Sequence, residues 1–425
     1  MRRNELTALG WACLYYFCVL SSYYIIRPIR DEMGIVSGVE NLQWLFLATF
    51  LAMLPIVPLF GWLVAKSPRS RFLPYAYGFF VLNLVFFYLL FRADDNNVWV
   101  ARVFYVWVSV FNLFVVSVFW SFMTDIFNDK QAKRLFGFIA VGGTLGAVAG
   151  PSITALLVES VSIANLLLIS GLFLGVCTIA IRQLSSWELH THRMQRRSDE
   201  DADPVLKGRA LDGIVQVFKS RYLLGICLLM VLYSTLSTFL YFQQAEILRD
   251  AFSDSAARTK MFAYIDLGGN LLTLVLQVFL TGRIVRHFGV PVSLAVVPVL
   301  LALGLLLLGF APTVFAIVAV QVLRRAGNYA LMRPARELLY VVLPREQKYR
   351  AKNFIDTTVY RGADVAGAWM YTGLITLGLG LGSIALVGVP LAAIWAWVSF
   401  RMGRAHDSQA LFNVSRASAR PATLL

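Results

Sequence analysis

The sequence predicts an all-α integral membrane protein of about twelve transmembrane helices in two six-helix halves, and three observations carry that expectation. Hydrophobic residues make up 58% of the 425 and charged ones only 15%. A soluble domain has roughly 45–50% and about 25%, and one soluble core cannot hide so much apolar surface. The apolar residues fall in blocks of roughly 20, the length a helix rising 1.5 Å per residue needs to cross about 30 Å of hydrocarbon. A long polar stretch, Gln183 to Arg221, divides the blocks into two sets. A β-barrel would alternate in polarity over segments of about ten residues, and stretches such as Leu294 to Phe310 do not.

The blocks place spans near 6–26, 41–64, 73–91, 99–123, 135–158, 163–182, 222–245, 261–282, 290–310, 313–333, 354–376 and 379–400. The first is long enough to span and has no small-residue cleavage site after it, so no signal peptide is expected. Arg27, Arg30 and Asp31 cluster at its end. Between the fourth and fifth spans, Asp125, Lys130, Lys133 and Arg134 are expected to build a cytoplasmic loop clasp. The fifth holds Gly142-Gly143-Thr-Leu-Gly146-Ala-Val-Ala-Gly150, whose overlapping small-x-x-x-small spacings let helices approach closely. No strand precedes this run and no Gly-Lys-Ser/Thr follows, so it reads as packing and not as a nucleotide loop.

After the sixth span the linker mixes Arg193, Arg196 and Arg197 with Asp199, Glu200, Asp201 and Asp203. Within it Leu211, Ile214, Val215 and Phe218 recur at helical spacing beside Arg209, Lys219 and Arg221, predicting a helix on the membrane surface. Gln243, Gln244 and Glu246 end the seventh span, and Asp266 and Asn270 lie one turn apart in the eighth. Arg324 and Arg325 lie halfway along the tenth, and Arg361 and Asp364 share a face of the eleventh. Gly378, Gly380 and Gly382 read as the turn before the twelfth. The expected division is therefore an N-terminal half over 1–182, a linker over 183–221, a C-terminal half over 222–400 and a tail over 401–425.

Cytoplasmic loops carry the excess of Lys and Arg. With the N-terminus inside, 28 of the 38 lie on the inner side and 7 outside, which places both termini and the linker in the cytoplasm. The formal charge of +14 is then topology, and no nucleic-acid partner is implied. The halves also echo one another: Ala132-Lys-Arg134 and Ala351-Lys-Asn353 lie 219 residues apart, as do Gly143 and Gly362, and Ala147 and Ala366. Gly61-Trp-Leu-Val-Ala-Lys66 likewise resembles Gly282-Arg-Ile-Val-Arg286. Two six-helix halves of similar pattern are the organisation of major facilitator transporters, whose site forms near the midplane.

Ionisable residues at membrane depth cost at least about 2.5–3.5 kcal/mol each, so they mark pathways. More Arg than Asp and Glu lies near the expected centre, and guanidinium forks hold carboxylate or phosphate, which points to a small anionic solute. Structural readings stand beside this one. Arg361 with Asp364 also fits an intrahelical pair, Arg27 and Arg30 fit snorkelling, and Glu246 and Asp266 fit either coupling or a gate ion pair. Tyr15, Tyr16, Tyr23, Tyr24, Trp120, Tyr264 and Tyr360 are candidates to stack a planar ring, although interfacial belts account for most aromatics. Cys13, Cys18, Cys177 and Cys227 lie in apolar blocks and read as core residues, and the scattered histidines predict no metal site.

Three stretches carry a family resemblance: Phe119 through Gly137 with the glycine-rich helix after it, Glu246 through Asp266, and Val322 through Pro344 continuing to Lys352-Asn-Phe-Ile-Asp356. They resemble the ATP/ADP translocase family of plastids and obligate intracellular bacteria, a family that exchanges nucleotides. The resemblance implies roles for Arg30, Glu246, Arg325 and Lys352. This chain departs from the family pattern in Arg30-Asp31-Glu32, where the family favours a basic residue, Asp and Thr. It also has Arg for Lys at Arg325 and Arg336, as a divergent bacterial branch would.

The expected function is a non-enzymatic, cofactor-free secondary transporter in the bacterial inner membrane, acting as a monomer. It would exchange a nucleotide or other phosphorylated metabolite by alternating access. Arg30, Arg324, Arg325, Lys352 and Arg361 are the expected substrate contacts, and Glu246, Asp266 and Asp364 the coupling or gating acids. Two alternatives stay open: a proton-coupled carrier of drugs, lipids or carboxylates, and a non-transporting sensor or assembly factor.

Overall fold

The computed structural model describes residues 3–66, 69–94, 97–195, 217–344, 351–352 and 354–418. In chain order the helices are α1 (Arg3–Val36), α2 (Leu42–Lys66), α3 (Arg69–Ala93), α4 (Val98–Ile126), α5 (Asp129–Val161) and α6 (Ile163–Gln195). They are followed by α7 (Arg221–Ala251), α8 (Ser255–Leu276), α9 (Gly282–Phe310), α10 (Val314–Gly327), α11 (Arg333–Leu339), α12 (Tyr360–Thr376) and α13 (Leu381–Ser418). The expected surface helix lies mostly outside the described residues.

Local chemistry sets the boundaries. The Asn97 side chain accepts from the Trp99 and Val100 amides and opens α4, while Asn128 and Gln131 form a reciprocal capping box at the start of α5. Thr313 caps α10 through the Ala316 amide. Gly289, at φ 73°, turns the chain inside α9 and so separates the eighth span from the ninth. Wider π turns at Gln277–Thr281, Asn328–Met332 and Ile355–Val359 join α8 to α9, join α10 to α11 and lead into α12.

Among the described residues ten helices are long and apolar enough to cross a membrane. The tenth and eleventh expected spans are helical as well, but each is interrupted or led by a π turn and carries more charge. Large apolar side chains such as Phe310, Phe315, Leu156 and Leu172 face outward, as lipid contact requires.

The chain forms two compact units, one from Met1–Asp203 with Leu248–Asn270 and one from Pro204–Ile247 with Leu271–Leu425. In the first, the glycine run packs α5 onto α1 as its spacing predicts. A Cβ at Gly142 would lie 2.5 Å from the Cys13 carbonyl oxygen, and one at Gly146 only 2.3 Å from that of Phe17. Thr154 Oγ1 donates to the Ile25 carbonyl at 3.1 Å, and Ser22 and Ser170 hydrogen-bond at 2.7 Å, tying α1 to α5 and α6. Residues 248–270 cluster with this unit because the ion pairs described below bind them to α1 and α5.

In the second unit, α9 and α13 pack closely. A Cβ at Gly382 would lie 2.6 Å from the Gly309 carbonyl oxygen, and one at Gly403 2.3 Å from the Pro291 backbone. Gly382 is therefore a packing residue of α13 and not part of the turn. Gly378, at φ 84°, is the turn glycine.

Candidate functional site

Each unit holds a cluster of ionisable side chains. In the second unit α7 presents Tyr233, Ser234, Ser237 and Thr238, spaced so that they look towards α10 and α12. Arg324 on α10 donates to Gln321 Oε1 at 2.8 and 3.1 Å and to Ser237 Oγ at 3.0 Å. Gln321 in turn donates to the Leu240 carbonyl at 3.3 Å. Arg325, the next residue, is buried and lies within electrostatic reach of Arg324, as do Tyr233, Tyr329 and Tyr360.

Tyr233 and Tyr360 stack with centroids 6.2 Å apart and planes at 26°. The Arg361 guanidinium lies 5.6 Å from the Tyr360 centroid and 3.4 Å from Asp364 Oδ2. Asp364 is buried and accepts from Ser234 Oγ and from Thr238 Oγ1 at 3.5 Å. Two π turns adjoin this cluster, one just after Arg325 and one just before Tyr360. Such turns recur at functional sites because they free backbone groups and re-aim side chains. The turn at Asn328–Met332 is braced by Gln277 Nε2 on the Tyr329 carbonyl, 3.3 Å, and Thr281 Oγ1 on the Ala330 carbonyl, 2.8 Å.

The structure thus brings Arg324, Arg325, Arg361 and Asp364 together with Tyr360. The tyrosines supply flat apolar faces beside these guanidinium groups and the Asp364 carboxylate. Sequence reasoning missed Tyr233, Tyr329 and the serine and threonine partners of Asp364. Lys352 sits apart from these contacts: its Nζ pairs with Glu337 Oε2 at 2.5 Å and lies over the Tyr340 ring, near an Arg336–Asp356 pair at 3.5 Å. Glu246 is half-buried on α7, within electrostatic reach of Tyr371.

In the first unit a ladder of charge ties the segment 255–270 to α1 and α5. Arg27 Nη1 lies 3.5 Å from Asp266 Oδ1, so Arg27 is held in an ion pair and does not snorkel. Glu32, fully buried, takes Arg258 through both carboxylate oxygens at 2.7–3.1 Å and accepts from Ser255 Oγ at 2.8 Å. Lys260 meets Glu159 at 2.6 Å, and Asn270 Nδ2 donates to the Ala147 carbonyl at 2.6 Å. Arg30 lies 3.5 Å from Asp31 and 4.3 Å from the Tyr105 centroid. Sequence reasoning named Asp266 but missed Glu32 and Arg258, whose partnership spans 226 residues. At the opposite end of α1, Arg134 pairs with Glu5 at 3.1 Å, a partner on α1 outside the four residues expected to build the loop clasp; the Lys130 and Lys133 side chains are outside the described residues.

The profile of the Major Facilitator Superfamily matches residues 10–335. The chain is 22% identical over 474 aligned residues to ADP,ATP carrier protein 1 of Chlamydia muridarum, covering 95% of this chain and 88% of that protein. It is 20% identical to ADP,ATP carrier protein 1 of Chlamydia pneumoniae, covering 90% and 88%. Its fold is similar to a single-residue mutant of the nucleoside transporter NupG, with TM-score 0.66, 12% identity, 93% of this chain and 99% of that one. It is also similar to a bacterial homologue of the iron transporter ferroportin in an inward-facing state, with TM-score 0.65, 13% identity, 94% and 99%.

Proposed function

The chain belongs to the Major Facilitator Superfamily, and from that premise we propose that it is a secondary transporter exchanging anionic solutes, a nucleotide or another phosphorylated metabolite, across the bacterial inner membrane. The observation that carries the reading is the half-buried Arg324, held by the neutral groups of Gln321 and Ser237 beside the stacked tyrosines. Relatives at 20–22% identity that bear the name ADP,ATP carrier support the nucleotide class. Both termini lie in the cytoplasm in this reading, on the loop-charge asymmetry, and the chain works as a monomer without a cofactor.

The chemistry follows from charge in a low dielectric. Arg324 and Arg325 hold phosphate oxygens through paired N–H donors, and Tyr233 or Tyr360 offers a face to a planar ring. Arg324 carries its charge at membrane depth on the neutral groups of Gln321 and Ser237, and desolvated charge there is costly. A bound anion neutralises it. The loaded carrier therefore changes conformation readily and the empty one does not, which makes transport an obligatory exchange. Asp266, held by Arg27, serves in this scheme as a gate partner and not as a proton carrier.

A thermal-shift panel of the purified protein tests the solute class. Nucleotides are expected to raise the midpoint by mass action, where free nucleosides and neutral sugars do not. A midpoint raised only by apolar drugs or lipids would replace this reading with the proton-coupled carrier.

A further inference from the structure

The first unit also carries an open groove of about 540 Å³ between α2 and α4, lined by other residues than those of the clusters. Its walls are Leu45, Ala48, Ala52 and Ile56 on one helix and Val103, Val106 and Val110 on the other. Only one end is polar, where Asn41 and Arg102 stand beside Trp44 and Trp99. From Trp44 to Ile56 is twelve residues, about 18 Å of helix, and from Trp99 to Val110 about 16 Å. One leaflet of hydrocarbon is about 15 Å deep. The groove therefore runs from the interfacial level, where tryptophan and arginine sit, to near the midplane, with alanines one turn apart leaving its floor open.

Arg102 makes one backbone contact, from Nη2 to the Ser37 carbonyl at 3.5 Å, and its guanidinium lies 4.9 Å from the Trp99 centroid. Five guanidinium N–H donors far exceed that use, and no carboxylate pairs with Arg102 among the described residues. The first turns of α2 and α4 open at the same end, so their helix dipoles add to the positive potential there.

We infer that this groove binds an anionic glycerophospholipid, one acyl chain lying between α2 and α4 and the phosphate held by Arg102. The match of groove length to leaflet depth selects an acyl chain, and the Arg102 guanidinium at the interfacial end selects a negative headgroup. The site shares no residue with the solute cluster and stands whichever solute is carried.

Native mass spectrometry of the full chain in detergent, with dioleoyl phosphatidylglycerol and dioleoyl phosphatidylcholine added in equal amounts, tests it. The wild type is expected to retain phosphatidylglycerol about tenfold over phosphatidylcholine, the ratio one charge-assisted hydrogen bond confers. Arg102→Ala should bring the two lipids to parity, and Ala48→Phe, which fills the groove, should lower retention of both. Thermal midpoints without added lipid should stay near wild type in both variants, because the changed side chains are open to the groove. Equal retention of the two lipids by the wild type, or undiminished phosphatidylglycerol on Arg102→Ala or Ala48→Phe, would overturn the inference.

Discussion

Tyr233 on α7 and Tyr360 on α12 stack at 6.2 Å, and the arginines of two helices surround the pair. If the tyrosines hold a planar ring while the arginines hold phosphate, the two contributions are separable. Tyr233→Ala should raise the KM for a nucleotide about tenfold, since stacking on an aromatic ring contributes roughly 1–3 kcal/mol. Inhibition of uptake by inorganic pyrophosphate should be unchanged. Competition assays in proteoliposomes give both numbers, and equal loss for the two ligands would assign Tyr233 a structural role only.

Arg324 and Arg325 should each be required for transport. Arg324→Ala removes the donors to Gln321 and Ser237 together with the charge, and Arg325→Ala removes a buried guanidinium. Both are expected to lower uptake at least a hundredfold at near-normal expression. Lys at either position should restore only part of it, because lysine keeps the charge and loses the planar fork. Full uptake by the Ala variants would contradict the assignment.

The Glu32–Arg258 pair is buried, so removing one partner leaves an uncompensated charge. Glu32→Gln should cost about 3–5 kcal/mol and lower the thermal midpoint measurably. Arg258→Met combined with Glu32→Leu should recover most of the loss, since an apolar pair carries no stranded charge. A double variant as unstable as the single one would show that the hydrogen bonds, and not the charges, matter most.

Glycine packing gives a sharp contrast within one helix. Gly146→Ala drives a methyl to 2.3 Å from the Phe17 carbonyl oxygen, whereas Gly137 has open space around it. The first should destabilise by about 1–3 kcal/mol, and Gly137→Ala should be neutral or gain up to about 1 kcal/mol of helix propensity. Thermal melts of the two purified variants compare them directly.

Much of this architecture was legible because membrane helices announce themselves by length and hydropathy, and because small-x-x-x-small spacing has one geometric meaning. Gly142 and Gly146 meet α1 as their spacing indicated. Arg324, Arg325, Arg361 and Asp364 stood out because charge is rare at that depth. Tyr233 and Ser234 did not, since a tyrosine or serine in an apolar block reads equally as belt or core. The π turns have no signature in hydropathy, so the re-aiming of the residues around them was invisible. Lys352 was named from resemblance, and its partner Glu337 lies 15 residues earlier, beyond the reach of any helical-spacing rule. Glu32 with Arg258 shows the same limit, because no local rule joins residues so far apart in sequence.

On the exchange proposal the carrier moves only when an anion neutralises the arginines of α10, and counterflow tests it most directly. Proteoliposomes preloaded with unlabelled nucleotide should take up labelled nucleotide from outside, while empty vesicles should take up almost none, with or without a pH gradient. Uptake into empty vesicles that is driven by an imposed pH gradient and collapsed by a protonophore would contradict it.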